Sequence, residues 1–160
     1  MNAISLPRVL FCLLAVCVIW AWAADSQEQA LPAGAAKDTV VKVCTACHDA
    51  AKFRRLRLDE DDWSEKVADM VDRGAQATPE QTEAIVGYLV ANFGPGSKVL
   101  VNSAPIEELR RVLGLATDEA SAIVAWRREH GPFHTWTDLA KVPGVDRSKI
   151  EARKDLLSFS

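Results

Sequence analysis

A short run of helix-breaking residues, Gly94-Pro95-Gly96-Ser97, divides the 160-residue chain beyond its midpoint. Glycine and proline interrupt helices and strands alike, so this run predicts a boundary between two folded units. The pattern on both sides is helical, with apolar residues spaced three and four apart and no convincing alternating run of β-branched residues. The sequence therefore predicts an all-α protein, in which a small three-helix domain is followed by a second small helical domain.

The first 24 residues have the pattern of a secretory signal peptide. Arg8 precedes an apolar run from Val9 to Trp22, and small residues stand where a signal peptidase reads the chain. The run is shorter than the roughly 20 residues that span a bilayer. We therefore expect residues 1–24 to be removed on export to the periplasm, which leaves no stable membrane span. An uncleaved membrane anchor is the alternative.

The charges of the remaining chain are close to balanced. We expect the first domain at 25–94, a linker at 95–100 and the second domain at 101–160. Residues 25–100 carry nine basic and thirteen acidic side chains, and residues 101–160 carry nine of each. Neither part has the strong positive field that dominates nucleic-acid binding by charge alone.

Residues Cys44 to His48 read CTACH, and the three functional groups in this run permit three chemistries. A redox dithiol would use both sulfurs but has no need of the histidine. A zinc site would need His130 or His134 as further ligands, at an unusual spacing. Covalent haem uses all three groups: two thiols add to the porphyrin vinyl groups, and the imidazole is placed under the iron. The motif favours covalent haem.

Helical spacing supports the same interpretation. Val40, Cys44 and Cys47 fall at positions i, i+4 and i+7, which predicts that both cysteines lie on one helical face with His48 one step further. A second apolar stripe contains Trp63, Val67 and Met70. A third helix is predicted to begin at Thr78, with Gln81 at the capping-box position.

Met70 is the candidate for the sixth iron ligand. It is the one methionine after the signal peptide and lies 22 residues after His48. A thioether is a soft, neutral ligand that favours reduced iron. A methionine in an apolar stripe is also common core filler. The competing ligands are His130, His134 or an open position, which would suit a gas or peroxide sensor.

From Lys37 to Gly94 the chain resembles the class I c-type cytochromes. The resemblance rests on the CxxCH run, on WxxxVxxMxxxGA from Trp63 to Ala75, and on YLxxNFG from Tyr88 to Gly94. It implies three helices around one covalently bound haem c, His/Met ligation and single-electron transfer. The chain departs from the larger members because no methionine follows its glycine turn. Arg54, Arg55 or Arg57 would pair with haem propionates, or else form a solvated charged loop.

From Val101 to Phe159 the chain resembles the helix-hairpin-helix repeat of ComEA-type competence proteins. The matching segments are VNSAPIEEL, LGL, AIVAWRREHGPF, DLAKVPGV and the closing LL. In members that bind DNA, hairpins of the type apolar-Gly-apolar-Gly present backbone N–H groups at a helix N-terminus to a phosphate. The glycines allow the backbone to approach the anion closely.

The second glycine of each hairpin is replaced in this chain. Ala116 adds a methyl group to the first hairpin, and Asp146 places a carboxylate, which is also a good helix cap, in the second. We therefore expect DNA to be a disfavoured partner, with a docking or structural role preferred for this domain. The residues to test for DNA contact are Gly114, Gly144, Arg147 and Lys149.

These features predict an exported monohaem cytochrome that carries single electrons to or from a periplasmic redox protein or dehydrogenase. Cys44 and Cys47 attach the haem, and His48 and Met70 ligate its iron. The chain shows no nucleophile or acid–base pair, so it is predicted to be a carrier rather than an enzyme, or the electron-accepting subunit of a dehydrogenase. The alternative is an extracytoplasmic, DNA-binding helix-hairpin-helix protein with an accessory haem domain.

Overall fold

The computed structural model of the protein describes residues 31–159. The predicted signal peptide, residues 1–24, lies outside the described residues. Within them the fold is all-α, as the sequence predicts, with eight α-helices, one 3-10 helix and one pair of two-residue strands. No helix in this part of the chain is both long and apolar enough to cross a membrane.

Four helices form the N-terminal half, and side-chain caps determine where two of them begin. Asp59 accepts a hydrogen bond from the Asp62 backbone N–H at 3.0 Å at the start of the third. At the start of the fourth, Thr78 and Gln81 form the predicted capping box. The helices are α1 (Lys37–Cys44), α2 (Ala51–Arg54), α3 (Glu60–Asp72) and α4 (Pro79–Phe93).

Aromatic residues at the end of α4 organise the core of the N-terminal half. The Trp63 indole N–H donates to the Phe93 carbonyl at 3.3 Å, and the Phe53 and Phe93 rings meet edge to face with centroids 5.9 Å apart. The Tyr88 hydroxyl donates to the Pro32 carbonyl at 2.6 Å. The other buried apolar residues of this core are Leu31, Val40, Ala50, Val67, Ile85, Val86 and Leu89.

The C-terminal half contains four short helices between two strands. Each hairpin turn between helices contains a glycine at positive φ, a conformation that residues with a Cβ rarely adopt. In order, the elements are β1 (Val99–Leu100), α5 (Ile106–Leu113), α6 (Thr117–His130), α7 (Trp136–Leu139), α8 (Arg147–Ala152), a 3-10 helix (Lys154–Leu156) and β2 (Leu157–Ser158).

The two strands bring the ends of the C-terminal half together. They pair in parallel, with Val99 opposite Leu157 and Leu100 opposite Ser158. Val99 and Leu157 are also buried in a core separate from that of the N-terminal half. The helices enclose this second core, so the half is a compact unit closed by its own termini.

A buried ion pair joins the two halves. The Arg54 guanidinium, at the end of α2, donates to Glu108 of α5 at 3.0 Å, and both side chains are 1% exposed. Arg57 donates to the other carboxylate oxygen of Glu108 at 2.9 Å. Burial lowers the pKa of Arg54, and the Glu108 carboxylate opposes this effect. Arg54 is therefore neither a partner for haem propionates nor part of a solvated loop, because the C-terminal half supplies its counter-charge.

Candidate functional site

Cys44 and Cys47 do not share a helical face. Helix α1 ends at Cys44, and residues 45–48 form a turn and a bend. Thr45 is the C-cap of the helix: its backbone N–H makes the last helical hydrogen bond to the Val41 carbonyl at 3.1 Å, and its hydroxyl donates to the same carbonyl at 2.6 Å. Asp49 then accepts the Ala51 N–H at 2.8 Å, and α2 begins at Ala51. The prediction of a common face was wrong because the helix ends at Cys44 and Cys47 lies in the turn that follows.

The three groups of the CTACH run differ in their exposure. Cys44 is half-buried and Cys47 is exposed, and both are free thiols. Burial raises the pKa of the Cys44 thiol. The Nδ1 atom of the half-buried His48 lies 3.1 Å from the Asp49 carbonyl oxygen. A carbonyl accepts the proton of Nδ1, which leaves Nε2 of His48 as the free basic nitrogen.

The other candidate ligands are on separate elements. Met70 is half-buried near the end of α3, whereas His130 and His134 are exposed in the C-terminal half. His130 stacks on Trp126 with ring centroids 3.9 Å apart. Among residues 31–159, no group of three or more His, Cys, Asp or Glu side chains could hold a metal ion. The structure therefore does not assemble the cysteines and histidines into a zinc site.

The first hairpin of the C-terminal half lies between α5 and α6. Gly114 is exposed with φ +68°, in the left-handed region, and no atom beyond its chain neighbours lies within 4 Å of a Cβ built there. Backbone conformation, rather than lack of space, thus explains this glycine. Ala116 is the residue just before the helix. Its backbone N–H is bound by a side chain rather than left exposed.

The second hairpin lies between α7 and α8. Gly144 is exposed with φ +83°. The Asp146 carboxylate caps α8 as predicted, accepting from the Ser148 N–H at 2.8 Å and from its hydroxyl at 2.7 Å. These hydrogen bonds lower the pKa of Asp146, so its exposed carboxylate is charged at neutral pH. The second hairpin therefore presents a negative group next to the helix N-terminus.

Glu119 connects the two hairpins, and sequence reasoning did not find it. One carboxylate oxygen accepts the Ala116 N–H at 2.6 Å and the other accepts the Asp146 N–H at 3.0 Å. Lys149 of α8 donates to the same carboxylate at 2.6 Å. Glu119 is 6% exposed. A single buried carboxylate thus fixes the N-termini of α6 and α8 beside each other.

The cationic residues predicted for DNA contact lie on α8, beside this carboxylate. The exposed Arg147 guanidinium lies over the Trp136 ring, 5.9 Å from its centroid. Lys149 is held by Glu119, and this hydrogen bond raises the pKa of Lys149. Gly114 and Gly144 belong to the paired hairpins, so the structure gathers all four candidate residues in the same half of the chain.

Comparisons with known proteins match this half. The family model of the helix-hairpin-helix motif matches residues 94–158. An uncharacterized protein of Haemophilus influenzae is 31% identical over 80 residues, which are 49% of this chain and 68% of that protein. Residues 94–158 therefore form a helix-hairpin-helix domain. The hairpins at Gly114 and Gly144 lie within this domain.

Other relatives of this helix-hairpin-helix protein are longer. ComE operon protein 1 of Bacillus subtilis is 35% identical over 72 residues, which cover 45% of this chain and 35% of that protein. Endonuclease/exonuclease/phosphatase family domain-containing protein 1 of Mus musculus is 37% identical over 54 residues, 34% of this chain and 10% of the relative. The chain thus spans about a third or less of these two proteins. No solved structure matches the chain.

These matches correct the predicted function. The prediction that the protein is a monohaem cytochrome that carries electrons was wrong, because the matched family is that of the helix-hairpin-helix motif and the relatives include ComE operon protein 1. They favour the alternative, a helix-hairpin-helix protein. Neither the fold nor the comparisons test haem attachment at Cys44 and Cys47 or iron ligation by His48 and Met70, which stay predictions.

Proposed function

We propose that the protein is an exported, non-enzymatic DNA-binding protein that contacts the duplex backbone through its paired hairpins. The observation that carries this proposal is the Glu119 bridge, which holds the N-termini of α6 and α8 side by side. The two adjacent helix N-termini place backbone N–H groups of both hairpins on one surface, and such groups contact phosphate oxygens of a nucleic-acid backbone. The match of residues 94–158 to the helix-hairpin-helix motif supports the same proposal.

The groups that are available to bind phosphate differ between the two hairpins. Glu119 occupies the Ala116 N–H, but the first N–H groups of α6, at Thr117 and Asp118, have no intrahelical partner. On α8, Arg147 supplies a cation that is exposed. Such contacts position the protein without reading bases, so we propose binding that depends on salt and not on sequence.

The negative charge of Asp146 opposes phosphate binding at the second hairpin, so a substitution of Asp146 tests the proposal directly. Asp146→Asn removes the negative charge but preserves a good helix cap, because asparagine and aspartate are comparable at this position. We expect the variant to bind a fluorescently labelled duplex oligonucleotide more tightly than the original chain in anisotropy titrations at low salt. Arg147→Ala should bind less tightly.

Glu129→Gln is the matched control for Asp146→Asn. Glu129 is exposed at the opposite end of α6, and its substitution changes the net charge by the same amount. A gain in affinity confined to Asp146→Asn supports contact at the hairpins. Equal gains in the two variants would indicate general charge attraction, and no binding at low salt by a folded protein would remove the proposal.

We further propose that the N-terminal half holds an accessory covalent haem, without an electron-carrier role. The residues present fit such a group: Cys44 and Cys47 are free thiols, and the carbonyl partner of His48 Nδ1 leaves Nε2 available. The haem would supply a redox-active iron. Cys44 and Cys47 would form the thioether bonds, and His48 and Met70 would ligate the iron.

The mass and optical spectrum of the exported protein test haem attachment and export together. We expect a mature chain that begins after residue 24 and carries the mass of one haem. The variant that combines Cys44→Ser with Cys47→Ser should be exported as a colourless chain. Met70→Ala should change the optical spectrum, but its mass should still include one haem. A wild-type chain of apoprotein mass after correct export would refute haem attachment and leave DNA binding untouched.

A further inference from the structure

A cleft between the two halves is lined by positive side chains from both of them. Its volume is about 410 Å³. The N-terminal half contributes two arginines and the C-terminal half contributes two more, while the chain that connects the halves forms part of the wall. We call this feature the arginine cleft; its defining residues are Arg55, Arg57, Arg111, Arg153, Gly96 and Ser97.

The arginine cleft has an excess of positive charge. Its lining includes no acidic side chain. Of the lining arginines, Arg57 is paired with Glu108, whose single carboxylate is shared with Arg54. That buried group of three charges retains one positive charge, and it has no exposed acidic oxygen to compete with an incoming anion.

Three of the four arginines have guanidinium N–H groups that are not used in hydrogen bonds within the part of the protein that the structure describes. Arg55 uses Nε on the Lys52 carbonyl at 3.3 Å, and Arg153 uses one terminal nitrogen on the Val112 carbonyl at 2.7 Å. Arg111 is exposed on α5 and forms no ion pair with the described residues. A guanidinium has five N–H groups, so each of these side chains keeps donors suited to phosphate oxygens.

The position of the arginine cleft connects it with the first hairpin. Arg111 precedes Gly114 by three residues on the last turn of α5. At about 1.5 Å per residue, this separation is about 5 Å along the helix axis. An arginine of the arginine cleft therefore lies within about one helical turn of the first hairpin along the chain.

We infer that the arginine cleft is a second contact surface for DNA backbone phosphates, so that a bound duplex touches both halves of the protein. This inference rests on the proposed DNA-binding function. It also accounts for binding by a chain whose hairpin amides at Ala116 and Asp146 are occupied by Glu119. The arginines supply charge that the hairpins of this chain lack.

The salt dependence of duplex binding tests the inference. Arg55→Gln combined with Arg111→Gln removes two positive charges but retains polar side chains of similar length. Log affinity falls as log salt rises, and each phosphate contact makes this slope steeper by about 0.9. The double variant should therefore have a slope that is shallower by about 2. Lys66→Gln with Arg73→Gln is the control, because it removes the same charge from two exposed positions outside the cleft, one on α3 and one directly after it.

The possible results distinguish failure of the arginine cleft from failure of the proposed function. A lower slope in the Arg55/Arg111 variant, with an unchanged control, supports the arginine cleft. Duplex binding with the same slope in all three proteins would overturn the cleft and leave the hairpins as the contact surface. An equal decrease in the control would show general attraction and would also overturn it. No duplex binding by any folded protein at low salt would overturn both.

Discussion

Arg54 and Glu108 form an ion pair across 54 residues of sequence, with their side chains 3.0 Å apart and almost completely shielded from solvent. Arg54 belongs to the N-terminal half and Glu108 to the helix that leads into the first hairpin. The pair therefore fixes the orientation of the hairpins relative to the N-terminal half.

Glu108→Ala should destabilise the whole protein. It leaves two arginines without their carboxylate, one of them fully buried, and the loss of one partner of a buried pair costs about 3–5 kcal/mol. We expect a decrease of this size in the free energy of unfolding in urea. Arg54→Met combined with Glu108→Leu should lose less, because the fully buried Arg54 charge is removed together with the carboxylate and only the partly exposed Arg57 loses its partner.

The control for Glu108→Ala is Asp69→Ala, which breaks the exposed ion pair with Arg73 on α3. Exposed pairs contribute little, so this variant should unfold at nearly the same urea concentration as the original protein. Equal stability of Glu108→Ala and Asp69→Ala would contradict a structural role for the buried pair.

Acid should weaken the junction of the two hairpins through Glu119. The hydrogen bond from Lys149, followed by the one from the Ala116 amide, lowers the pKa of Glu119. A folded-state pKa below the unfolded value gives stability above the ordinary glutamate pKa of about 4.3, which is lost as the pH falls through the folded value. Glu119→Gln should cost about 1–3 kcal/mol at neutral pH, since one amide loses its acceptor.

The pH dependence distinguishes this effect from simple damage to the fold. The difference in unfolding free energy between the original protein and Glu119→Gln should shrink below about pH 4. Glu129→Gln, an exposed substitution on the same helix, should show no such dependence. A difference that stays constant from neutral to acidic pH would argue against ionised Glu119 as the bridging group.

The sole tyrosine of the sequence should titrate far above its usual range. Burial raises the pKa of Tyr88 to about 12. Because the folded value exceeds the unfolded value of about 10, this stabilisation is complete below pH 10 and is lost as the pH approaches 12. Ultraviolet absorbance of tyrosinate measures the ionisation directly.

Tyr88→Phe isolates the hydroxyl of this residue. The variant loses the hydrogen bond to the Pro32 carbonyl, so its free energy of unfolding should decrease by about 0.5–1.5 kcal/mol at neutral pH. It should also lose the alkaline absorbance change. Ionisation of Tyr88 near pH 10 in the folded protein would show that the hydroxyl is open to water.

The two cysteines should differ in reactivity when the chain is prepared without residues 1–24 and without haem. Cys47 is exposed, whereas burial of Cys44 raises its pKa and lowers its thiolate fraction. We expect iodoacetamide to modify the Cys44→Ser variant, which retains Cys47, several-fold faster than the Cys47→Ser variant. Unfolding in urea is the control, since it should make the two rates similar.

Sequence reasoning predicted features that depend on neighbouring residues. The Thr78 capping box and the Asp146 cap each involve groups within a few positions of one another. The same reasoning failed at Cys44, where helical spacing favoured continuation but α1 ends and Cys47 lies in the turn that follows. Periodicity describes the apolar face of a helix and does not determine where the helix ends.

Polar contacts between residues that are far apart in the chain could not be predicted from the sequence. Arg54 lies in a basic run that is typical of a solvated loop, and its burial depends on a carboxylate in the other half. Glu119 has the pattern of an ordinary first-turn acid on α6, yet it binds the Asp146 amide 27 residues away. Only the fold brings such partners together, and these two contacts determine how the hairpins are held.

The parallel pairing of Val99–Leu100 with Leu157–Ser158 places the two ends of the C-terminal half next to each other, which is the arrangement that circular permutation and domain insertion require. Because its first and last residues are neighbours, a short peptide could join them and new termini could be opened in an exposed turn. The same closure would let the unit be inserted into a surface loop of an unrelated carrier, with the paired turns at Gly114 and Gly144 carried along intact.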